Sequence, residues 1–309
     1  LSLPNSAFGN FSLRYNTIGT NNTAFGSYTL FSNSTGVANT AVGRSALQSN
    51  TIGINNSAFG HYALLNNTTG ANNTAVGDDV LKANTTGPRN TAVGANALIS
   101  NTVGDNNTSV GYNSGYSVTI GYGNTSIGTY TGNAVTTGDY NTSLGQSAGS
   151  GVTTGNNNVA MGKDALGTAT TGHYNTAIGY TALSKNTTAS NNTAIGRAVL
   201  FNNTTATGNT GMGSEALYSN TTGANNIGIG TNALYANTTG ASNTAVGKNA
   251  LAANTTASNN TALGYNALLT NTTGTQNVAL GVNTLYSTTT GSGNVSIGYS
   301  SLNSNTTGW

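Results

Sequence analysis

The chain has 309 residues, only 5% of them charged, a formal net charge of +2 and no cysteine, and Gly, Asn, Thr and Ser dominate it. So sparse a charge excludes the clustered basic face that a nucleic-acid partner needs and any tail built from like charges. The lack of Cys excludes a disulfide scaffold, and no apolar run is long enough to insert in a membrane.

Residues 1–4 are a lead-in without a basic or apolar leader segment, so either removal of a signal peptide or an internal piece of a longer chain is expected. From Asn5 onward an Asn opens a new unit every 17 residues, through Asn294, without insertion or deletion. The consensus is N-T-A-(V/I/F)-G-x-x-A-L-x-x-N-T-T-G-x-N, and positions below are counted within this unit. Seventeen residues are too few for a helix pair or a propeller blade but suit one coil of a solenoid. Thr, Asn and Gly are poor helix formers, and Thr, Val, Ile and Ala in short pieces between Gly and Asn read as strands. The expected fold is therefore all-β: a parallel β-solenoid (β-roll) of about 18 coils, one per repeat, each with two or three short strands. It is expected to run as one continuous domain over residues 5–309.

Strand alternation puts positions 2 and 4 on one face. Thr and Val interchange at position 2 (Val159, Val278), so this face is expected to point inward, carrying Val42, Val76 and Val246 at position 4. Position 3 would then point outward, yet it is always Ala, Ser or Gly. That size limit signals either a close contact between chains or a coil too narrow for anything larger. The fifth position is Gly in every unit (Gly43, Gly77, Gly247), which points to φ > 0 or close backbone approach. Leu at position 9 (Leu47, Leu81, Leu251) and Asn at position 12 (Asn50, Asn84, Asn254) are expected inside, the amides stacked as a ladder. Position 14 is placed inside with them on the strength of Ile18, Ile52 and Ile120, and the Thr of position 13 forms an outward hydroxyl row.

Residues 107–157 hold three variant coils. Leu at position 9 becomes Gly115, Gly132 and Gly149, while Asn at position 12 becomes Val118, Val135 and Val152. Volume lost at one site returns at the other, as a shared close-packed interior requires. At the far end, Trp309 falls in an unfinished unit. With no capping unit at either end, a longer fibre or end-to-end joining is expected.

The N-T-A-V-G-x-x-A-L unit resembles the head repeats of trimeric autotransporter adhesins and is similar to the repeat shafts of bacterial and phage tail-fibre-like proteins. The likeness covers Asn5 to Gly308. It implies a trimer of β-rolls at a cell or virion surface that binds host surfaces or matrix. The unit of 17 is longer than the typical head repeat, and these 309 residues contain no segment that reads as a neck, coiled coil or membrane anchor.

Catalysis needs a constellation of titratable groups, and the chain holds one Glu, five Asp and two His. His61 and His173 occupy variable turn positions, Asp78-Asp79 is the only acidic pair, and Asp does not recur in every coil as in Ca²⁺-binding rolls. No enzyme activity, cofactor or metal is expected. Among the abundant Asn-x-Ser/Thr sequons, the N-N-T set (Asn21, Asn72, Asn106, Asn191, Asn259) is expected to be exposed and open to glycosylation. The N-T-T set (Asn67, Asn84, Asn220, Asn271) is expected to be buried. The composition thus predicts a non-enzymatic, extracellular, rod-like structural or adhesive fibre segment. Its partners would be copies of itself (a trimer or an end-to-end filament) and surface or matrix glycans. The alternative is an ice- or polysaccharide-binding solenoid using the Thr row of position 13.

Overall fold

A computed structural model describes residues 4–308, so Trp309 and most of the lead-in lie outside the described residues. The protein is an all-β parallel β-solenoid with a 17-residue repeat and no helix among the described residues. It divides into two compact units, residues 1–154 and 155–309. Each unit carries nine three-residue strands at positions 2–4: Ser6–Phe8 through Thr142–Leu144 in the first, and Val159–Met161 through Val295–Ile297 in the second.

Within each unit successive strands pair in parallel at a constant offset of 17. Thr23 lies beside Thr40, Ala24 beside Ala41 and Phe25 beside Val42. Leu47 and Leu64 are adjacent rungs: the Leu47 N–H donates to the Ala63 carbonyl at 3.0 Å, and both side chains are fully buried.

One strand per coil is fewer than the sequence suggests, because the segment after the position-5 Gly is not extended. Positions 7 and 9 are left-handed, as at Ser45 (φ 58°) and Leu47 (φ 51°), with one residue between them that is not. The segment still bonds from coil to coil, through Ser45 N–H to the Ser27 carbonyl and Ser49 N–H to the Leu65 carbonyl. Left-handed backbone costs a Leu roughly 1–2 kcal/mol, and full burial of its side chain contributes about 1.5–3 kcal/mol. Burial wins by a narrow margin. In the variant coils Gly115, Gly132 and Gly149 hold the same left-handed place without that cost, at φ 59°, 53° and 60°.

The inward set is positions 1, 3, 8, 9, 12 and 15, which corrects the strand orientation read from the sequence. Position 3 is the buried one, with Ala41, Ala75 and Ala245 at 0% exposure. Val42, Val76 and Val246 are half-exposed beside the Thr of position 2. The cause is the width of the coil. A methyl group added at Gly228, in position 3, would already sit 3.1 Å from Leu217 of the preceding coil. The size limit therefore comes from the narrow interior and not from a chain–chain contact. Position 14 is corrected too: Ile18, Ile52 and Ile120 are 75%, 53% and 52% exposed.

Position 9 and position 12 do share one interior. Val118, Val135 and Val152 are buried to within 2%. A Cβ added at Gly132 would lie 3.8 Å from Val135 and 2.5 Å from the Ser126 hydroxyl. Ser at position 3 of the same coils (Ser109, Ser126, Ser143) is thus a third member of the exchange.

Two Asn columns complete the interior. Asn50 Nδ2 donates to Asn33 Oδ1 at 2.8 Å and to the Gly53 carbonyl at 3.1 Å. Asn39 Nδ2 donates to the same Gly53 carbonyl at 2.8 Å, and Asn39 Oδ1 accepts from the Asn56 backbone N–H at 3.0 Å. Position 15 is small because a Cβ added at Gly53 would crowd Asn50 Oδ1 and lie 2.5 Å from the Gly70 carbonyl. Where the position-12 column is interrupted its last acceptor is left buried and unpaired: Asn101 Oδ1 before Val118, and Asn271 Oδ1 before Thr288. Restoring the amide by Thr288→Asn is expected to raise stability by about 0.5–1.5 kcal/mol, seen as a higher urea midpoint. An unchanged or lower midpoint would contradict the ladder as a source of stability.

Candidate functional site

Each coil projects positions 2, 4, 6, 7, 10, 11, 13, 14, 16 and 17 toward the surface, so the molecule offers faces, and the 17-residue register decides which side chains meet on them. The strand face carries the position-4 residues as an apolar row flanked by Thr. In the first unit it runs through Phe8, Phe25, Val42, Phe59, Val76, Val93, Val110, Ile127 and Leu144, none of them buried. Phe8 and Phe25 are stacked, with ring centroids 5.0 Å apart. The second unit repeats the row from Met161 to Ile297.

The Thr rows differ from each other. At position 13 the hydroxyl is half-buried and committed, since Thr51 Oγ1 donates to the Thr68 carbonyl at 3.0 Å and Thr238 Oγ1 to the Thr255 carbonyl at 3.0 Å. At position 14 the hydroxyls are outermost, and Thr69, Thr86, Thr239 and Thr256 are exposed. The sequence assigned the free hydroxyl row one residue too early, because the register alone does not tell which member of a Thr-Thr pair turns outward.

The ladder residues named from the sequence fall as follows. Leu47, Leu81 and Leu251 are fully buried, as are Asn50, Asn84 and Asn254. Asn84 and Asn254 donate to Asn67 and Asn237 at 2.8 Å. Gly43, Gly77 and Gly247 have φ of 122°, 139° and 133°, and a Cβ on Gly43 would meet the Gly60 carbonyl at 2.5 Å. Asn21, Asn72, Asn106, Asn191 and Asn259 are exposed at the left-handed position 17, whereas Asn67, Asn84, Asn220 and Asn271 are fully buried.

Titratable groups meet where the register stacks them. His61 Nδ1 lies 2.9 Å from Asp78 Oδ1 on the next rung, and with Asp79 the ligand-type atoms fall within 4.8 Å of one another. These three residues could hold a metal ion, although Lys82 Nζ sits 3.1 Å from Asp79 Oδ1 and competes for that carboxylate. Reading His61 as an isolated turn residue missed this cluster. The signal was available, since Asp78 follows it by one repeat. Elsewhere the Tyr122 phenol is pushed above its ordinary value, first by the Asp139 carboxylate and then by Tyr140.

No protein-family model matches this chain, and no curated protein is recognisably similar to it in sequence. The faces themselves therefore carry the functional reading. Because the chain has no cysteine, a single introduced thiol reports on its own position. Thr86→Cys is expected to react with a maleimide at least ~100-fold faster than Ala92→Cys in native buffer, with the two equal in concentrated urea. Equal native rates would mean that positions 3 and 14 have been assigned to the wrong sides of the coil.

Proposed function

We propose that this protein is a non-enzymatic structural segment of an extracellular adhesive fibre, assembled with copies of itself through the strand face. The observation that carries the reading is the uninterrupted apolar row at position 4. Nine side chains presenting on the order of 70 Å² each offer roughly 600 Å² in one unit, at the upper end of what a monomer leaves exposed and near the ~800 Å² per partner of a standard interface. The row runs over a regular, nearly uncharged parallel sheet, and a second sheet of the same kind can pack on it face to face at about 10 Å. A second copy is the occupant that matches it in length, repeat and polarity pattern. The resemblance to trimeric adhesin heads and tail-fibre shafts favours the same conclusion, with a trimer as the expected stoichiometry and a cell or virion surface as the location. The exposed N-N-T asparagines suit glycosylation there.

A second reading rests on the outermost Thr row of position 14, a regular hydroxyl array that could order ice or a polysaccharide. Its signature would be thermal hysteresis of a dilute solution, or retention on insoluble polysaccharide, abolished by Thr239→Tyr with Thr256→Tyr; absence of both effects removes it.

Sedimentation equilibrium tests the first reading. The wild type is expected to be a dimer or trimer at micromolar concentration. Val42→Lys combined with Val76→Lys and Val110→Lys is expected to be monomeric with the urea midpoint unchanged, because these side chains are outside the core. A wild-type monomer up to the solubility limit would overturn the assembly.

A further inference from the structure

The turn face of the first unit holds a 560 Å³ cleft whose walls include Tyr28 and Tyr62 and whose rim includes Arg44 and Lys82. It exists because of one residue. Position 7 is aromatic in coils 1, 2 and 4 (Phe11, Tyr28, Tyr62) but is Ser45 in coil 3, buried to 4% exposure. A ring is missing from the ladder, and the two Tyr stand two rungs apart. At about 4.8 Å per rung, their backbones are roughly 9.6 Å apart. A ring in contact with both walls needs the wall planes about 7–8 Å apart, from two contacts of 3.5–4.0 Å. The gap admits one six-membered ring with about 2 Å to spare.

Each wall has a neighbour from a coil beyond the gap. Phe11 packs against Tyr28 with ring centroids 5.1 Å apart, and Lys82 Nζ lies 4.8 Å from the centre of the Tyr62 ring while also lining the cleft.

The chemistry of the cleft is cationic in a chain with only eight Lys and Arg. Lys82 is shared with Asp79 at 3.1 Å. Arg44, by contrast, has no carboxylate within ion-pair distance among the described residues. A planar guanidinium free of a protein partner is a bidentate donor for a carboxylate or a sulfate. Gln48, Ser49 and Asn66 line the same cleft and supply amide and hydroxyl groups for neutral hydroxyls.

From this geometry we infer that the cleft at Ser45 binds an anionic saccharide: one pyranose ring sandwiched between Tyr28 and Tyr62, with its carboxylate or sulfate on Arg44. This goes beyond the fibre reading and names the class of glycan such a segment would hold. The cleft uses positions 6, 7, 10 and 11 and none of position 4, so it stands whether or not the strand face assembles.

Titration calorimetry on the full chain tests it with three probes: a sulfated heparin-type oligosaccharide, a carboxylated oligogalacturonate and a neutral malto-oligosaccharide. One of the two anionic probes is expected to bind at least about tenfold more tightly than the neutral one, and which one does identifies sulfate or carboxylate as the group recognised. Arg44→Gln is expected to lose that preference by about tenfold or more. Ser45→Tyr restores the missing ring at a position where Tyr28 (φ 61°) and Tyr62 (φ 56°) are already accommodated. This variant is expected to fold with an unchanged urea midpoint and to bind neither anionic probe. Binding that survives Ser45→Tyr, or no binding of either anionic probe by the wild type, overturns the assignment.

Discussion

Everything in this protein depends on one constraint: each residue sits on its counterpart 17 positions away, and the polar groups between them are satisfied along that axis. The backbone does this on the strand through parallel pairing, and on the turn ribbon through bonds such as Ser45 N–H to the Ser27 carbonyl. The buried amides do it again, with Asn50 on Asn33 and Asn39 on the Gly53 carbonyl. A buried polar group without a partner costs about 1–3 kcal/mol. A shift of one residue in the stacking register would orphan a carbonyl and two amides in every coil it touched.

The same constraint explains why the interior is so small. The inward side of the strand has room for Ala, Ser or Gly, since Leu of the neighbouring coil already fills the space opposite, as Leu217 does at Gly228. Larger apolar residues on the strand are displaced to the outside. On the strand the solenoid therefore buries Ala, Ser and Gly at position 3 and exposes Phe, Ile and Val at position 4, the reverse of the usual distribution for apolar side chains of that size. The exposed apolar row follows from the narrowness of the coil.

Regularity also makes departures informative. The three Gly-for-Leu coils exchange volume among positions 3, 9 and 12 while keeping a left-handed backbone at position 9. Ser45, a single small residue in an aromatic stretch of position 7, opens a cleft without disturbing the backbone, because φ there matches that of the neighbouring Tyr residues. Variation on the outward positions changes chemistry at no cost to the fold, and a stacked repeat can place that chemistry at one chosen rung.

The repeat length, the stacking register, the buried Leu column, the position-12 Asn column and the role of the position-5 Gly were legible in the residues, whereas the second buried Asn column, at position 1, was not read from them. Each is imposed on every coil and so is written into the sequence many times. The exposed Asn21, Asn72, Asn106, Asn191 and Asn259 were legible for the same reason. Which strand face looks inward was not: Thr and Val at position 2 fit either side, and the limit on position 3 had two readings until the distance to Leu217 separated them. The choice between the two Thr rows and the Ser45 cleft likewise needed coordinates, whereas the meeting of His61 with Asp78 was implicit in their spacing of one repeat. Periodicity states which residues share a column. The width of the coil, set by how side chains fill it, decides which columns are inside, and only the tertiary structure holds that width.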